Sequence, residues 1–152
     1  MTQGEILARL FDELLAGHDI PSAESVCKVS AAKAFEPIDP IPYSFATNLQ
    51  HTVLWQNFWL SRLEGSRAKP GMNEWKNDFR EPAPEEYDGL RRELIEGLKT
   101  CRAIAAGEIK PPADVSNEAV VRDLILVAVH GAYHLGQLNL IKRAGNKKRT
   151  AK

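Results

Sequence analysis

Apolar residues recur at three- and four-residue steps in four stretches of the chain, a spacing that is typical of amphipathic helices. The first stretch follows Thr2-x-x-Glu5, which is a capping box, and it ends at Gly17, a residue type that commonly follows a helix. The second stretch, residues 43–64, contains neither glycine nor proline and is closed by Gly65. The first half of the chain is therefore predicted to form two helices, of which the second is long.

The second half of the chain predicts two more helices. Proline and acidic side chains at Pro84–Glu86 suit a helix N-terminus, and the helix that follows is expected to run to Gly107. Ser116 is a good N-cap for a last helix over residues 118–144, which we expect to stop at Gly145. No segment alternates as a strand would. The sequence thus predicts an all-α domain, most simply a four-helix bundle with a short helical connector between its first two helices.

The segments between the helices are predicted to be largely irregular. Short helical turns are expected to start near Pro21 and Ser30. The run 36–42 contains three prolines, which remove backbone donors and restrict the residues before them, so it should be extended. Residues 66–84 contain three further prolines and are predicted to form a loop that is packed in part by its own aromatic side chains.

Composition and charge then limit the classes of function. The chain has 152 residues, with 20 Lys and Arg against 20 Asp and Glu, so one domain of zero formal charge is expected. We assign this domain to residues 1–146 and a basic C-terminal tail to residues 147–152. Nucleic acid is not an expected partner, because counterion-release binding needs a basic face. The sequence has neither about 20 consecutive apolar residues nor a secretory signal, so no membrane partner and a cytoplasmic location are expected.

The candidate chemistry lies in the histidines rather than in the cysteines. Cys27 and Cys101 are isolated from each other, so neither a disulfide framework nor a thiolate metal cluster is indicated. His130 and His134 are four residues apart, which places them on one helix face with Cβ atoms roughly 5–6 Å apart. Such a pair can hold one metal ion, although two histidines that are only hydrogen-bonded would show the same spacing.

A third histidine favours the metal interpretation. His51 lies in the second predicted helix, where a helical-wheel count puts Leu54, Trp55 and Phe58 on its side. A histidine on so apolar a face needs a hydrogen bond or a ligand. Three of the four histidines then fall on the interior faces of two long helices, where bundles build metal sites, and only His18 lies outside.

Residues beside the histidines are candidates for supporting roles. Tyr133 and Gln137 share the stripe of the histidine pair, where they could fix imidazole tautomers or simply belong to an amphipathic helix. Asp123 lies two turns away, about 10 Å along the axis, and is a poor candidate ligand. Trp55 and Phe58 could line a pocket beside the metal, although core packing is the more frequent role of such residues.

Two motifs carry a resemblance to a known family. His51 lies between residues 43–45 (YSF) and 58–60 (FWL), and residues 130–138 read HGAYHLGQL. With these motifs the sequence resembles, over most of its length, the DinB/YfiT-like family of bacterial metal-binding bundles. The resemblance implies that His51, His130 and His134 hold a divalent ion such as zinc, nickel, iron or manganese within a four-helix bundle.

The resemblance also implies a set of possible reactions. Characterised relatives include S-transferases and isomerases that use low-molecular-weight thiols such as bacillithiol or mycothiol, as well as metal-dependent hydrolases, and homodimers are common. We therefore expect a metal-dependent transferase that activates a small thiol towards an electrophile. A metal-dependent hydrolase and a non-enzymatic, stress-associated metal-binding dimer remain as alternatives. The sequence names no general base, because local spacing places no Asp or Glu beside the three histidines.

Overall fold

The computed structural model describes the backbone of residues 1–150 and the side chains of residues 1–147. The helices are α1 (Gln3–Ala16), α2 (Ala23–Val26), α3 (Ala31–Ala34), α4 (Phe45–Leu63), α5 (Met72–Asn77), α6 (Tyr87–Ala105) and α7 (Asn117–Thr150), and a 3₁₀ turn at Pro84–Glu86 leads into α6. The described residues contain no strand, so the all-α prediction is confirmed. The last two residues of the predicted basic tail lie outside the described residues.

Local hydrogen bonds start the helices where the sequence predicts them. The Thr2 hydroxyl accepts from the Glu5 amide at 3.2 Å, and the Glu5 carboxylate accepts from the Thr2 amide at 2.6 Å, which completes the capping box of α1. Ser44 caps α4 by accepting from the Thr47 amide at 3.1 Å. The start of α4, and with it the position of His51 along the helix, is therefore fixed by the local sequence.

Two expectations about the ends of helices and loops are wrong. α7 continues past Gly145 to Thr150, because Gly145, unlike Gly65 and Gly107, does not adopt the left-handed conformation that ends a helix. Residues 66–84 are not an unbroken loop, since they contain α5. At the start of α5, the amide of the N-cap residue Gly71 donates to the Glu74 carboxylate at 2.7 Å.

The four long helices, α1, α4, α6 and α7, enclose one apolar core. Its largest fully buried side chains are Phe11, Leu14, Phe45, Leu49, Leu63, Tyr87, Leu94, Leu98, Leu124, Leu135 and Leu138. α4 packs most extensively on α7, and α1 packs most extensively on α6. The bundle is thus two helix pairs that share a core, and the metal centre described below lies in the first pair.

The contact between α4 and α7, which we call the α4–α7 seam, is polar along part of its length. Asn48 donates to Gln137 at 3.0 Å near one end, and Arg62 pairs with Asp123 at 3.2 Å near the other, so the two helices run antiparallel. Asp123 is only 2% exposed and also accepts from Arg122 at 3.0 Å. Its carboxylate is therefore used in ion pairs, in agreement with its exclusion as a metal ligand.

One helix, Asn117–Lys147, is long and apolar enough by length and composition to cross a membrane. This segment is the part of α7 that forms the α4–α7 seam, and 44% of its most apolar window is buried inside the domain. Core helices of soluble domains share this combination of length and hydropathy. We therefore interpret α7 as the central helix of the bundle, which also leaves one apolar face exposed.

Candidate metal centre

Three imidazoles meet at the middle of the α4–α7 seam. Nε2 of His51 lies 3.0 Å from Nε2 of His134 and 3.2 Å from Nε2 of His130. One ligand atom from each of the three histidines lies within 4.8 Å of the other two. The structure thus brings together the three histidines that the sequence selected, whereas His18 is exposed at the end of α1.

A carboxylate from the α5 segment fixes the orientation of His51. Asp78 follows α5, and its Oδ1 accepts a short hydrogen bond from Nδ1 of His51. The same oxygen accepts from the indole N–H of Trp55 at 3.1 Å. Because a carboxylate only accepts, Nδ1 of His51 must carry the proton, and the lone pair of Nε2 is directed towards the other two imidazoles.

The side-chain amides of Asn48 and Gln137 fix the orientation of His134. Nδ1 of His134 lies 2.8 Å from Oδ1 of Asn48, and the amide nitrogen of Asn48 donates to Oε1 of Gln137 at 3.0 Å. Since the Asn48 oxygen can only accept, Nδ1 of His134 carries the proton and donates to it, and Nε2 of His134 keeps a lone pair. Gln137 thus lies next to both His134 and Asn48, and Asn48 is a residue that the sequence analysis did not select.

The electrostatics of the site keep the imidazoles of His130 and His134 neutral. Burial, followed by the neighbouring imidazoles, lowers the pKa of His130 to about 3. Burial, followed by His51, lowers the pKa of His134 to about 4. At neutral pH both rings are uncharged, and their Nε2 atoms lie 3.0 and 3.2 Å from Nε2 of His51. A cation at their centre could be coordinated by one nitrogen from each ring.

The donor set and its spacing fit a first-row divalent ion. Tetrahedral Zn–N bonds of about 2.0–2.1 Å would place neighbouring nitrogens about 3.3 Å apart, close to the distances from His51 to its two partners. Three neutral ligands leave the ion with its full charge, and three protein ligands are typical of catalytic sites that keep a position for water or substrate. The three histidines are therefore positioned to bind a metal ion.

Aromatic rings form the rim of the centre. Phe79 stacks on His51 with ring centroids 3.9 Å apart and an interplanar angle of 19°. Trp59 meets the edge of His130 at 5.0 Å, and Tyr133 meets His134 at 4.9 Å while remaining 62% exposed. The rim is thus aromatic and partly open to solvent.

Phe79 pays a conformational cost for its place in this rim. Its φ of 51° is in the left-handed region, which is unfavourable for a bulky residue. The turn lets consecutive residues reach the same histidine, since Asp78 bonds its Nδ1 and Phe79 covers its ring face. Strained backbone of this kind is typical of functional sites that the surrounding structure holds in place.

The predicted pocket residues differ in their distance from the histidines. Tyr133 contacts His134 directly, and Trp55 acts through Asp78. Phe58 is 8% exposed and packs on the Trp55 ring at 5.9 Å, one layer further from the imidazoles. Asp78 itself was missed, because it is 27 residues from His51 and no local spacing connects them.

The cysteines take no part in the centre. Both are buried and free. Burial raises the pKa of Cys27 to about 11 and that of Cys101 to about 12. At neutral pH both remain thiols, so they are unreactive and serve as small core residues.

Comparisons with known proteins agree with this geometry. The model of a family described as the DinB superfamily matches residues 9–138, a range that includes all three histidines. No curated protein and no solved structure shows a significant match to the chain.

We predict that Asp78→Asn weakens metal binding, because the substituted amide is a weaker acceptor for Nδ1 of His51 and no longer fixes its tautomer. The loss in affinity should be roughly 10–100-fold, the usual effect of removing such a partner. Competition with a chromophoric chelator for zinc would measure it. Trp55→Phe should lose less, since it removes one of two hydrogen bonds to Asp78.

Asp114→Asn is the matched control for this experiment. Asp114 is an exposed carboxylate paired with Arg67 at 3.1 Å, and its replacement should leave the zinc affinity unchanged. An unchanged affinity in Asp78→Asn would show that the carboxylate does not support His51.

We also predict that the metal-free protein loses stability in acid through His130 and His134. Their pKa values lie near 3 and 4 in the folded state and near 6.5 in the unfolded state, so the unfolded chain takes up their protons first. Their contribution is complete above about pH 6.5 and falls towards pH 4, by at most about 1.4 kcal/mol per pH unit for each histidine. Urea unfolding at several pH values would measure this.

The variant His130→Asn should show a shallower loss of stability over the same pH range than the parent protein does. His18→Asn, which changes an exposed histidine, should keep the parent slope. Equal slopes for the parent and His130→Asn would refute the prediction.

Proposed function

The chain belongs to the DinB superfamily, and from that premise we propose that it is a metal-dependent transferase that joins a low-molecular-weight thiol to a small electrophile. The observation that carries the proposal is the convergence of three imidazoles, with Nε2 of His51 3.0 Å from Nε2 of His134 and 3.2 Å from Nε2 of His130. His51, His130 and His134 would hold the ion, for which zinc, nickel, iron and manganese are the candidates.

A divalent ion at this position lowers the pKa of a thiol or a water molecule that binds to it, so that a nucleophile is available at neutral pH. The chain's own residues prepare the site for this chemistry. Asp78 and Asn48 hold protons on the Nδ1 atoms of His51 and His134. Phe79 and Tyr133 offer apolar surface for the electrophile at the rim.

The thiol in this proposal is a second substrate, because the chain cannot supply its own. Cys27 and Cys101 are buried, and their raised pKa values keep them protonated. In the proposed reaction a carbon–sulfur bond forms, the bond from that carbon to its leaving group breaks, and the thiol proton passes to water. Bacillithiol and mycothiol are the thiols that we propose, and a cytoplasmic location would give access to both.

We also propose that the protein is a homodimer whose copies meet at the outer face of α7. Four large apolar side chains are exposed there: Ile125, Leu126, Val129 and Leu140. Gly136 lies among them, and a Cβ at that glycine would meet nothing within 4 Å inside the chain. A two-fold pairing of α7 with α7 of a second copy would bury these side chains and use the glycine for close approach.

The transferase proposal predicts that turnover needs both a metal and a thiol. Protein loaded with zinc, nickel, iron or manganese is assayed with 1-chloro-2,4-dinitrobenzene and either bacillithiol or mycothiol, and thioether formation is followed by absorbance. Activity should disappear with a chelator, and His134→Ala should lose both metal content and activity. His18→Ala, which changes the exposed histidine, should retain both.

Other outcomes of this assay assign other functions. Metal-dependent hydrolysis of a nitrophenyl ester without any thiol would replace the transferase by a hydrolase. Stoichiometric metal with neither activity would favour a non-enzymatic metal-binding dimer. Unchanged metal content in His51→Ala and His134→Ala would refute the metal site itself.

The dimer proposal predicts that Val129→Glu shifts the protein to a monomer in light scattering at micromolar concentration. Val129 is 64% exposed, so the substitution introduces a charge into the proposed interface without disturbing the core. Ile6→Glu is the matched control, because Ile6 is 56% exposed on α1 and the dimer should persist. A monomeric parent protein, or a dimeric Val129→Glu variant, would contradict the proposal.

A further inference from the structure

A cavity of about 240 Å³ lies where the start of α4 meets the end of α7. Its floor is apolar and consists of four buried side chains: Val29, Ile38, Phe45 and Ile141. Phe45 precedes His51 by six residues, and Ile141 follows His134 by seven, so the floor lies about 10 Å from the histidines along the helix axes. The cavity is therefore a separate site on the same seam.

Three lysines stand around the mouth of this cavity: Lys28, Lys33 and Lys142. Nζ of Lys33 donates to Asn146 at 3.3 Å, and Nζ of Lys142 donates to a backbone carbonyl at 2.6 Å, so both acceptors are neutral. None of the three lysines forms an ion pair with another described residue. Glu36 is the only carboxylate in the lining, which leaves an excess of two positive charges at the mouth of the cavity.

Gly145 contributes to the space in this cavity. It lies inside α7, where glycine costs about 1 kcal/mol relative to alanine. A Cβ at this position would lie 3.3 Å from Cδ1 of Ile38, which forms part of the floor. A larger side chain at 145 would therefore press on Ile38 and displace the floor, and the glycine leaves the floor in place.

We propose that this cavity binds a small amphipathic anion, with its apolar body on the floor and its anionic head among the lysines. Burial of an alkyl or aryl group on four apolar side chains is favourable through the hydrophobic effect. The anionic head would be the counterion for the three lysines, which form no ion pair with another described residue. A neutral head would leave them unpaired, and a cationic head would be repelled, so the charge of the head is the main determinant of specificity.

Isothermal titration calorimetry of the metal-loaded full chain with octanoate tests this proposal. We expect one saturable site, and octyl phosphate in a parallel titration distinguishes a phosphate head from a carboxylate head. Octylamine and octyl glucoside, which carry a cationic and a neutral head, should not bind. The double variant Lys33→Gln, Lys142→Gln removes two of the three lysine charges. It should weaken octanoate binding about tenfold, which corresponds to about 1.4 kcal/mol.

Three further variants make the outcome specific to this cavity. Glu36→Gln removes the opposing carboxylate and should tighten octanoate binding. Gly145→Leu should abolish octanoate binding, and circular dichroism would verify that this variant folds. If it does not fold, the Lys33→Gln, Lys142→Gln variant provides the test of the proposal. His51→Ala should bind octanoate like the parent, because the site does not involve the metal.

Equal binding of octylamine and octanoate would overturn the proposal, and so would unchanged octanoate binding in the lysine variant. Loss of octanoate binding in His51→Ala would instead assign the ligand to the metal centre. Failure of octanoate to bind any form of the protein would also overturn it.

Discussion

The structure depends on holding three imidazoles with their Nε2 atoms directed at one point inside an apolar bundle. Each ring needs its proton on the opposite nitrogen, and an unbonded polar group at that depth is costly. Asp78 meets this requirement for His51, and Asn48 with Gln137 meets it for His134. The middle of the α4–α7 seam is therefore polar because the site requires it, and apolar side chains of all four long helices form the core around it.

This requirement also explains the segment between α4 and α6. A direct turn between two helices would be shorter, but it could not return a carboxylate to the middle of α4. The segment reaches back over α4 instead: the Asn77 carbonyl accepts from Gln50, Asp78 bonds His51 and Trp55, and Phe79 covers the ring. The unfavourable φ of Phe79 follows from this path, because two consecutive side chains must face the same histidine.

Local signals in the sequence were sufficient to predict the long helices and the pairing of His130 with His134. The capping box at Thr2 and the four-residue spacing of His130 and His134 act within one turn of helix, so they can be interpreted without the fold. Asp78 and α5 could not be found in this way, since the carboxylate meets its histidine only through tertiary packing. The extension of α7 beyond Gly145 has the same origin, because the packing of Ile38 against α7 cannot be inferred from a glycine alone.

The zero net charge of the chain conceals an uneven distribution along the seam. At the metal centre the contacting side chains are aromatic or amide groups, and the single carboxylate, Asp78, is already bonded to His51 and Trp55. At one end of the seam, Arg62 and Arg122 are paired with Asp123, and at the other three lysines have no carboxylate partner. A substrate at the metal centre would therefore be selected by apolar surface and by the ion, whereas a ligand in the lysine cavity would be selected by its negative charge. The same pair of helices builds both sites, but the sites lie about two helical turns apart along the seam. Each can therefore select a different ligand, one by apolar contact and the other by negative charge.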